Sequence, residues 1–137
     1  MKTRLMILAT LFLSVVSAAT LAAHHDVEAK FDSKKEVTVT GIVAQVLWAN
    51  PHAAFVIDVR EAGGKVVTWQ VEVAPPHLLS NIGVTRDTVA VSSSVTVKMW
   101  PARDGSHTAT GRMLTLPNGK QLNVGDALGW KQLPQDV

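Results

Sequence analysis

Residues 74–84 read APPHLLSNIGV, and they interrupt a chain that otherwise alternates apolar and polar residues at every second position. Two consecutive prolines disfavour a continuing strand, because neither nitrogen can donate to a ladder. Proline at a first helical position is instead preorganised for a helix start. Leu78, Leu79 and Ile82 then recur at helical spacing, and Gly83 supplies a stop. The stretch predicts a short helix with one small apolar stripe, so what flanks it decides the fold.

Three strand-like segments precede it. EVTVTGIVAQVLW (36–48) sets Val37 and Val39 against Thr38 and Thr40, then Gly41 intervenes and the alternation becomes less clean. A glycine inside a long strand commonly marks a bulge or bend. HAAFVIDVR (52–60) places Phe55, Ile57 and Val59 opposite Val56 and Asp58, and Glu61, Ala62, Gly63 and Gly64 then offer a hairpin turn. KVVTWQVEV (65–73) sets Val67, Trp69, Val71 and Val73 against Thr68, Gln70 and Glu72. Downstream, SVTVKMW (94–100) turns Val95, Val97 and Met99 one way, and Pro101 with Arg103-Asp104-Gly105 closes it. A fifth strand is predicted over 108–116, and Pro117-Asn118-Gly119 leads into a short tail strand near 121–124.

Three strands, a short helix and two more strands, with a bend in the first, is the order of an OB-fold. The expected class is therefore all-β with one short helix, closed as a small five-stranded OB-fold-like barrel. A small β-sandwich is the competing arrangement, and the helix between strands 3 and 4 favours the barrel.

The N-terminus is excluded from that reading. Lys2 and Arg4 precede an apolar run from Leu5 to Val16 and then the small residues up to Ala23. This is the layout of a secretory signal peptide, expected to be cut after Ala22, with Ala18 and Ala19 as other fitting sites. The run to Ala23 approaches spanning length, so an uncleaved anchor is the alternative. The expected organisation is a leader at 1–22, an arm at 23–35, the barrel at 36–125 and a tail at 126–137, with no membrane span after cleavage. The expected address is the periplasm, reached by export through the inner membrane.

Thirteen Lys and Arg stand against eleven Asp and Glu. Lys2 and Arg4 belong to the leader, which contains no acid, so the mature chain is formally neutral. Its composition gives no support to nucleic-acid binding. The chain has no cysteine, which excludes disulfides, thiolate chemistry and thioether lipid attachment.

Function must then be sought in the histidines. In a cysteine-free exported protein, imidazole and carboxylate are the strong ligands available for late first-row metals. Cleavage after Ala22 would give an Ala23-His24-His25 terminus. Its free amine, two amide nitrogens and the His25 imidazole could form the square-planar set that Cu(II) and Ni(II) prefer. OB-folds commonly bind through the strand 2–3 face and the loops joining strands 1 to 2 and 4 to 5. His52 falls at the first of these loops and His107 at the second. The candidate metal ligands are His24, His25, His52 and His107, with copper first and nickel or zinc after it.

Trp48, Asn50, Glu72 and Trp100 are the candidate rim for a ligand or partner, with Trp48 and Trp100 bordering the same two loops. Each also has a structural reading. His52 can hold the turn after Asn50-Pro51, Glu72 can be an ion-pair partner, and adjacent histidines on an arm can be simply solvated. His77 is read as a surface or capping residue and Trp69 as core.

The segments AHHDVEAKFD (23–32), VTVTGIV (37–43), WANPH (48–52), the strand around Trp69 and Glu72, PARDGS (101–106) and LTLPNGK (114–120) together resemble an exported bacterial family known only as domain of unknown function 6152. The resemblance implies a small exported β-protein and supplies no activity. That family tends to carry Gly-Trp after the short helix and Gly-Asp before strand 4. Here those places read Gly83-Val84 and Val91-Ser92-Ser93-Ser94.

No nucleophile elbow, zinc-protease helix or phosphate-binding glycine loop occurs, so no enzyme is expected. The leading expectation is a non-enzymatic periplasmic binding protein that takes copper or another late first-row metal through histidines. The alternative is an OB module that binds an envelope protein or small ligand, with structural histidines.

Overall fold

The computed structural model describes residues 27–125. The expected leader at 1–22, the His24-His25 pair and the tail 126–137 lie outside the described residues. The chain divides into two units, Met1–Lys30 and Phe31–Val137. Of the first, residues 27–30 are helical. The second starts ahead of the alternating segment. Phe31 is buried and bridges Ala102, and the Asp32 N–H donates to the Pro101 carbonyl at 2.9 Å.

Six strands and one helix follow: β1 (Val37–Leu47), β2 (Ala54–Arg60), β3 (Val66–Glu72), α1 (Pro76–Asn81), β4 (Ser94–Pro101), β5 (Thr108–Thr115) and β6 (Gln121–Asn123). The sheet order is β3-β2-β1-β4-β5-β6, and a parallel pairing of β3 with β5 closes the first five strands into a barrel. This is the OB-fold order expected from the sequence, with β6 added beside β5.

Closure depends on β1 serving two neighbours. Residues from Val37 to Ile42 pair with β4, and those from Ile42 to Leu47 pair with β2. Gly41 lies at the handover. A Cβ there would sit 2.5 Å from the Asp58 carbonyl oxygen and 2.7 Å from an Ile57 methyl, so only glycine lets the strands approach at the bend. Just beyond it, Ala44 is an extra residue between the pairs Val43↔Ile57 and Gln45↔Val56. This bulge shifts the inward phase of β1 from odd to even positions, so Val46 and Trp48 join Val43 against the core.

A second bulge lies in β5, where Met99 pairs with Gly111 but Lys98 pairs with Met113. Arg112 is the extra residue. Gly111 faces inward, and a Cβ on it would lie 2.9 Å from a Val71 methyl.

The inward residues are those the alternation picks out. Phe55, Ile57, Val71, Val95, Val97, Met99 and Leu114 are all below 2% exposed. Each such aliphatic or aromatic side chain contributes about 1.5–3 kcal/mol by leaving water. Leu79, Val84 and Val89 belong to the same cluster, so the β3–β4 connection fills part of the barrel interior. Helix α1 starts with Pro76 after Pro75, and Gly83 ends its turn with φ +76. Of its predicted stripe, Leu79 is buried and Leu78 partly so, while Ile82 remains 39% exposed. Among the described residues no helix is long and apolar enough to cross a membrane.

Candidate functional site

His52 follows Pro51 in the β1–β2 connection, and the Asn50–Pro51 peptide is cis. Its ring is exposed, and Nδ1 lies 3.1 Å from the Val73 carbonyl oxygen. A carbonyl can only accept, so Nδ1 carries the proton, and in the neutral ring Nε2 is then the nitrogen with the lone pair. That is the tautomer in which a histidine offers Nε2 to a metal, its orientation set by a backbone oxygen.

His107 lies elsewhere. Its carbonyl accepts from Gln70 N–H at 2.9 Å, and its ring meets the Trp69 ring edge-on with centroids 5.1 Å apart. His52 is anchored beside Val73 on the β2 edge of β3, and His107 beside Trp69 on the β5 edge. Four residues of strand, about 13 Å, separate the two levels. The fold therefore does not gather the two histidines at one edge. Among the described residues no three histidine or carboxylate side chains come together to hold a metal ion.

The expected rim also divides. Trp48 is half-buried against the core, and Asn50 is exposed in the loop after it. Trp100 lies near the other end of β1, because Val37 pairs with Met99 while Trp48 follows Leu47. The two tryptophans are separated by most of β1 and do not wall one pocket. Trp100 and Glu72 do come together: the register sets Glu72, Thr110 and Trp100 in one row across β3, β5 and β4. Thr110 is only 5% exposed although it lies in this outward row. The bulge residue Arg112 lays its guanidinium over the Trp100 ring, 4.2 Å from the centroid. Trp69 packs against the core as expected, and His77 is exposed on α1.

The feature that sequence reasoning missed lies beside the β1 bulge. A surface groove of about 390 Å³ runs between Ala44, Gln45 and Val46 on one wall and Arg86, Asp87 and Val91 on the other. Among the described residues the far wall is tied to β1 by backbone hydrogen bonds at Val43 alone: Ser92 N–H donates to the Val43 carbonyl at 2.8 Å, and Val43 N–H to the Ser93 carbonyl at 3.0 Å. Ser92 reaches this geometry with φ +68, in the left-handed region that non-glycine residues rarely adopt. Val91 is 56% exposed at the groove, and Ile42, just before the bulge, is 47% exposed. The lost alternation after Gly41 was the available signal, but nothing in it showed which neighbour β1 would leave uncovered.

The outer face of β2 and β3 is a less distinctive surface. Asp58, Arg60, Thr68 and Gln70 line it, and the Thr68 hydroxyl donates to the Asp58 carboxylate at 2.6 Å. The Arg60 guanidinium donates to the Gly64 carbonyl at 3.1 Å in the adjoining turn.

No curated protein and no solved structure matches the chain significantly. One family model matches residues 11–112, a span that runs from the N-terminal segment through the barrel to Arg112 in β5. The chain belongs to that family, a family of unknown function designated DUF6152.

Proposed function

We propose that this protein is a non-enzymatic, exported binding protein of the bacterial cell envelope, and that it holds a protein partner at the groove beside the β1 bulge. The leader-like N-terminus supports the address. One observation carries the binding reading: a groove of about 390 Å³ with Val91 56% exposed on its wall. A single exposed apolar residue is ordinary on a convex surface, but one set in the wall of a concave surface is what a partner would cover.

The test is site-specific photo-crosslinking in the envelope of the native host. A photoreactive side chain at Val91 should give one discrete adduct, identified by mass spectrometry, and the same group at Ala62 in the β2–β3 turn should not. Identical adducts from both positions, or none from Val91, would sink the reading.

A second reading is favoured by the His52 tautomer. With Nδ1–H held by Val73, Nε2 of His52 is a ready donor toward copper. Copper comes first, with nickel or zinc after it. Calorimetric titration of the processed protein with Cu(II) tests it. Saturable binding at micromolar Kd or tighter, weakened in His52→Ala, is the expected result; weakening only in His24→Ala/His25→Ala would confine the metal to the terminus.

A further inference from the structure

The groove wall contains an open strand edge, and this identifies what fits it. Backbone direction in a strand alternates, so each residue turns its N–H and C=O to one neighbour or the other. Val73 N–H donates to the Ala53 carbonyl, so Ala53 faces β3. By alternation Ala54, Val56 and Asp58 face β1, where their partners are Leu47, Gln45 and Ile42. Val46, between Gln45 and Leu47, therefore turns its N–H and C=O away from β2 and toward the groove. On that side β4 has ended, since its last pair with β1 is Ile42↔Ser94, and the loop clamp reaches only Val43. Val46 is thus opposite Phe55 at a position of the ladder where alternation turns its N–H and C=O away from β2, and among the described residues no loop backbone bonds to them.

We infer that the groove binds an extended peptide segment of a partner protein, which adds to the barrel as a strand against Val46. The inference rests on the proposed partner-binding reading and names its chemistry. A free N–H and C=O side by side on a strand edge are matched by another extended backbone, whereas a helix has already used its own. The opposite wall refines the match. Arg86 and Asp87 are exposed and form no ion pair among the described residues. A neutral strand with one acidic and one basic side chain complements that pair, and apolar residues between them meet Val91.

The experiment uses the full mature chain and an acetylated, amidated peptide, Thr-Lys-Val-Thr-Val-Glu-Thr. In the free protein the Val46 amide should exchange with solvent faster than those of Gln45 and Leu47, although all three lie within β1. Peptide addition should shift the amide resonances of 44–46 and 86–91 and slow Val46 exchange about tenfold or more, the factor expected for a new backbone hydrogen bond of ordinary strength.

Two N-methylated peptides then test the mode of binding. Methylating the two valine nitrogens blocks one edge of the strand, and methylating Lys, the central Thr and Glu blocks the other. One set should lose affinity about tenfold or more and the other should stay within about threefold, because only one edge pairs. Arg86→Glu with Asp87→Lys should favour a peptide whose Lys and Glu are exchanged.

Groove shifts with equal loss from both methylated peptides would overturn strand addition while leaving partner binding at the groove intact. A Val46 amide already protected in the free monomer would overturn the open edge itself. Protection of Val46 that grows with protein concentration, without peptide, would assign the edge to a second copy and overturn the proposal. No groove shift with any of these peptides at millimolar concentration would also overturn it, and crosslinking at Val91 would then decide the broader reading separately.

Discussion

Replacing Gly41 with alanine tests whether the bend of β1 is set by backbone contact. The added Cβ would lie 2.5 Å from the Asp58 carbonyl oxygen and 3.0 Å from its carbonyl carbon, against an ordinary contact of at least 3.4 Å. About 0.9 Å must therefore be found between β1 and β2 at the Ile42↔Asp58 pair. The neighbour is backbone held on its other side by β3, so it cannot rotate away as a side chain would. Separating the strands weakens one or two ladder hydrogen bonds at about 0.5–1.5 kcal/mol each and disturbs Ile57, with overpacking adding about 1–3 kcal/mol. Alanine's lower unfolded-state entropy returns about 0.5–1 kcal/mol. The net expectation is a destabilisation of about 2–3 kcal/mol, or a fall in Tm of roughly 8–20 °C for a domain of this size. Gly111→Ala is the comparison: its Cβ would meet methyl groups of Val71 and Val73 at 2.9 and 3.1 Å, side-chain contacts that need to give by less than the 0.9 Å demanded of backbone at Gly41. Urea unfolding of both variants gives the comparison. A Gly41→Ala protein within about 0.5 kcal/mol of wild type, the range of neutral surface changes, would refute the close-approach argument. So would a larger loss from Gly111→Ala.

Three further outcomes follow from the same packing. Leu79→Ala empties a fully buried position where the β3–β4 connection meets the core, and should cost about 2–5 kcal/mol in urea unfolding with the circular-dichroism spectrum retained. The Thr68 hydroxyl and Asp58 carboxylate, paired at 2.6 Å across β2 and β3, should show a coupling of about 0.5–1 kcal/mol in a Thr68→Val/Asp58→Ala double-mutant cycle. Ser92→Gly relieves a left-handed φ at a strain of about 1–3 kcal/mol and adds about 0.5–1 kcal/mol of glycine entropy, so thermal melting should show a small net stabilisation.

Much of the barrel was legible because burial follows a period of two. Phe55, Ile57 and Val59 were set on one face by sequence alone, and all three are buried. The prolines at 75 and 76 and the glycine at 83 bounded α1 for the same local reasons that hold in the structure. The candidate site was less legible because it depends on register between distant strands. His52 and His107 occupy the two expected loops, yet one is levelled with Val73 and the other with Trp69. Only the pairing of β2 and β5 with β3 fixes that offset, and no local pattern encodes it. Glu72 and Trp100 show the converse, being brought into one row by Thr110 between them.

The surfaces of most interest arise where the alternation fails by one residue. Arg112 is extra in β5, and its side chain is thereby carried outward onto Trp100. Ala44 is extra in β1, and the strand absorbs it as a bulge. Val46 and Trp48 therefore face inward although they follow Val43 at odd spacing, and beyond the last β4 pair the backbone of Val46 faces the groove. Deleting Ala44 should straighten the strand and leave the faces beyond it unchanged. Gln45 would then follow Val43 directly and keep Val56 opposite it, and Val46 would keep the buried Phe55. The bulge is thus how β1 accommodates a surplus residue without the one-residue slip that would expose Val46 and Trp48, so the deletion variant should lose the local bend and keep both side chains packed.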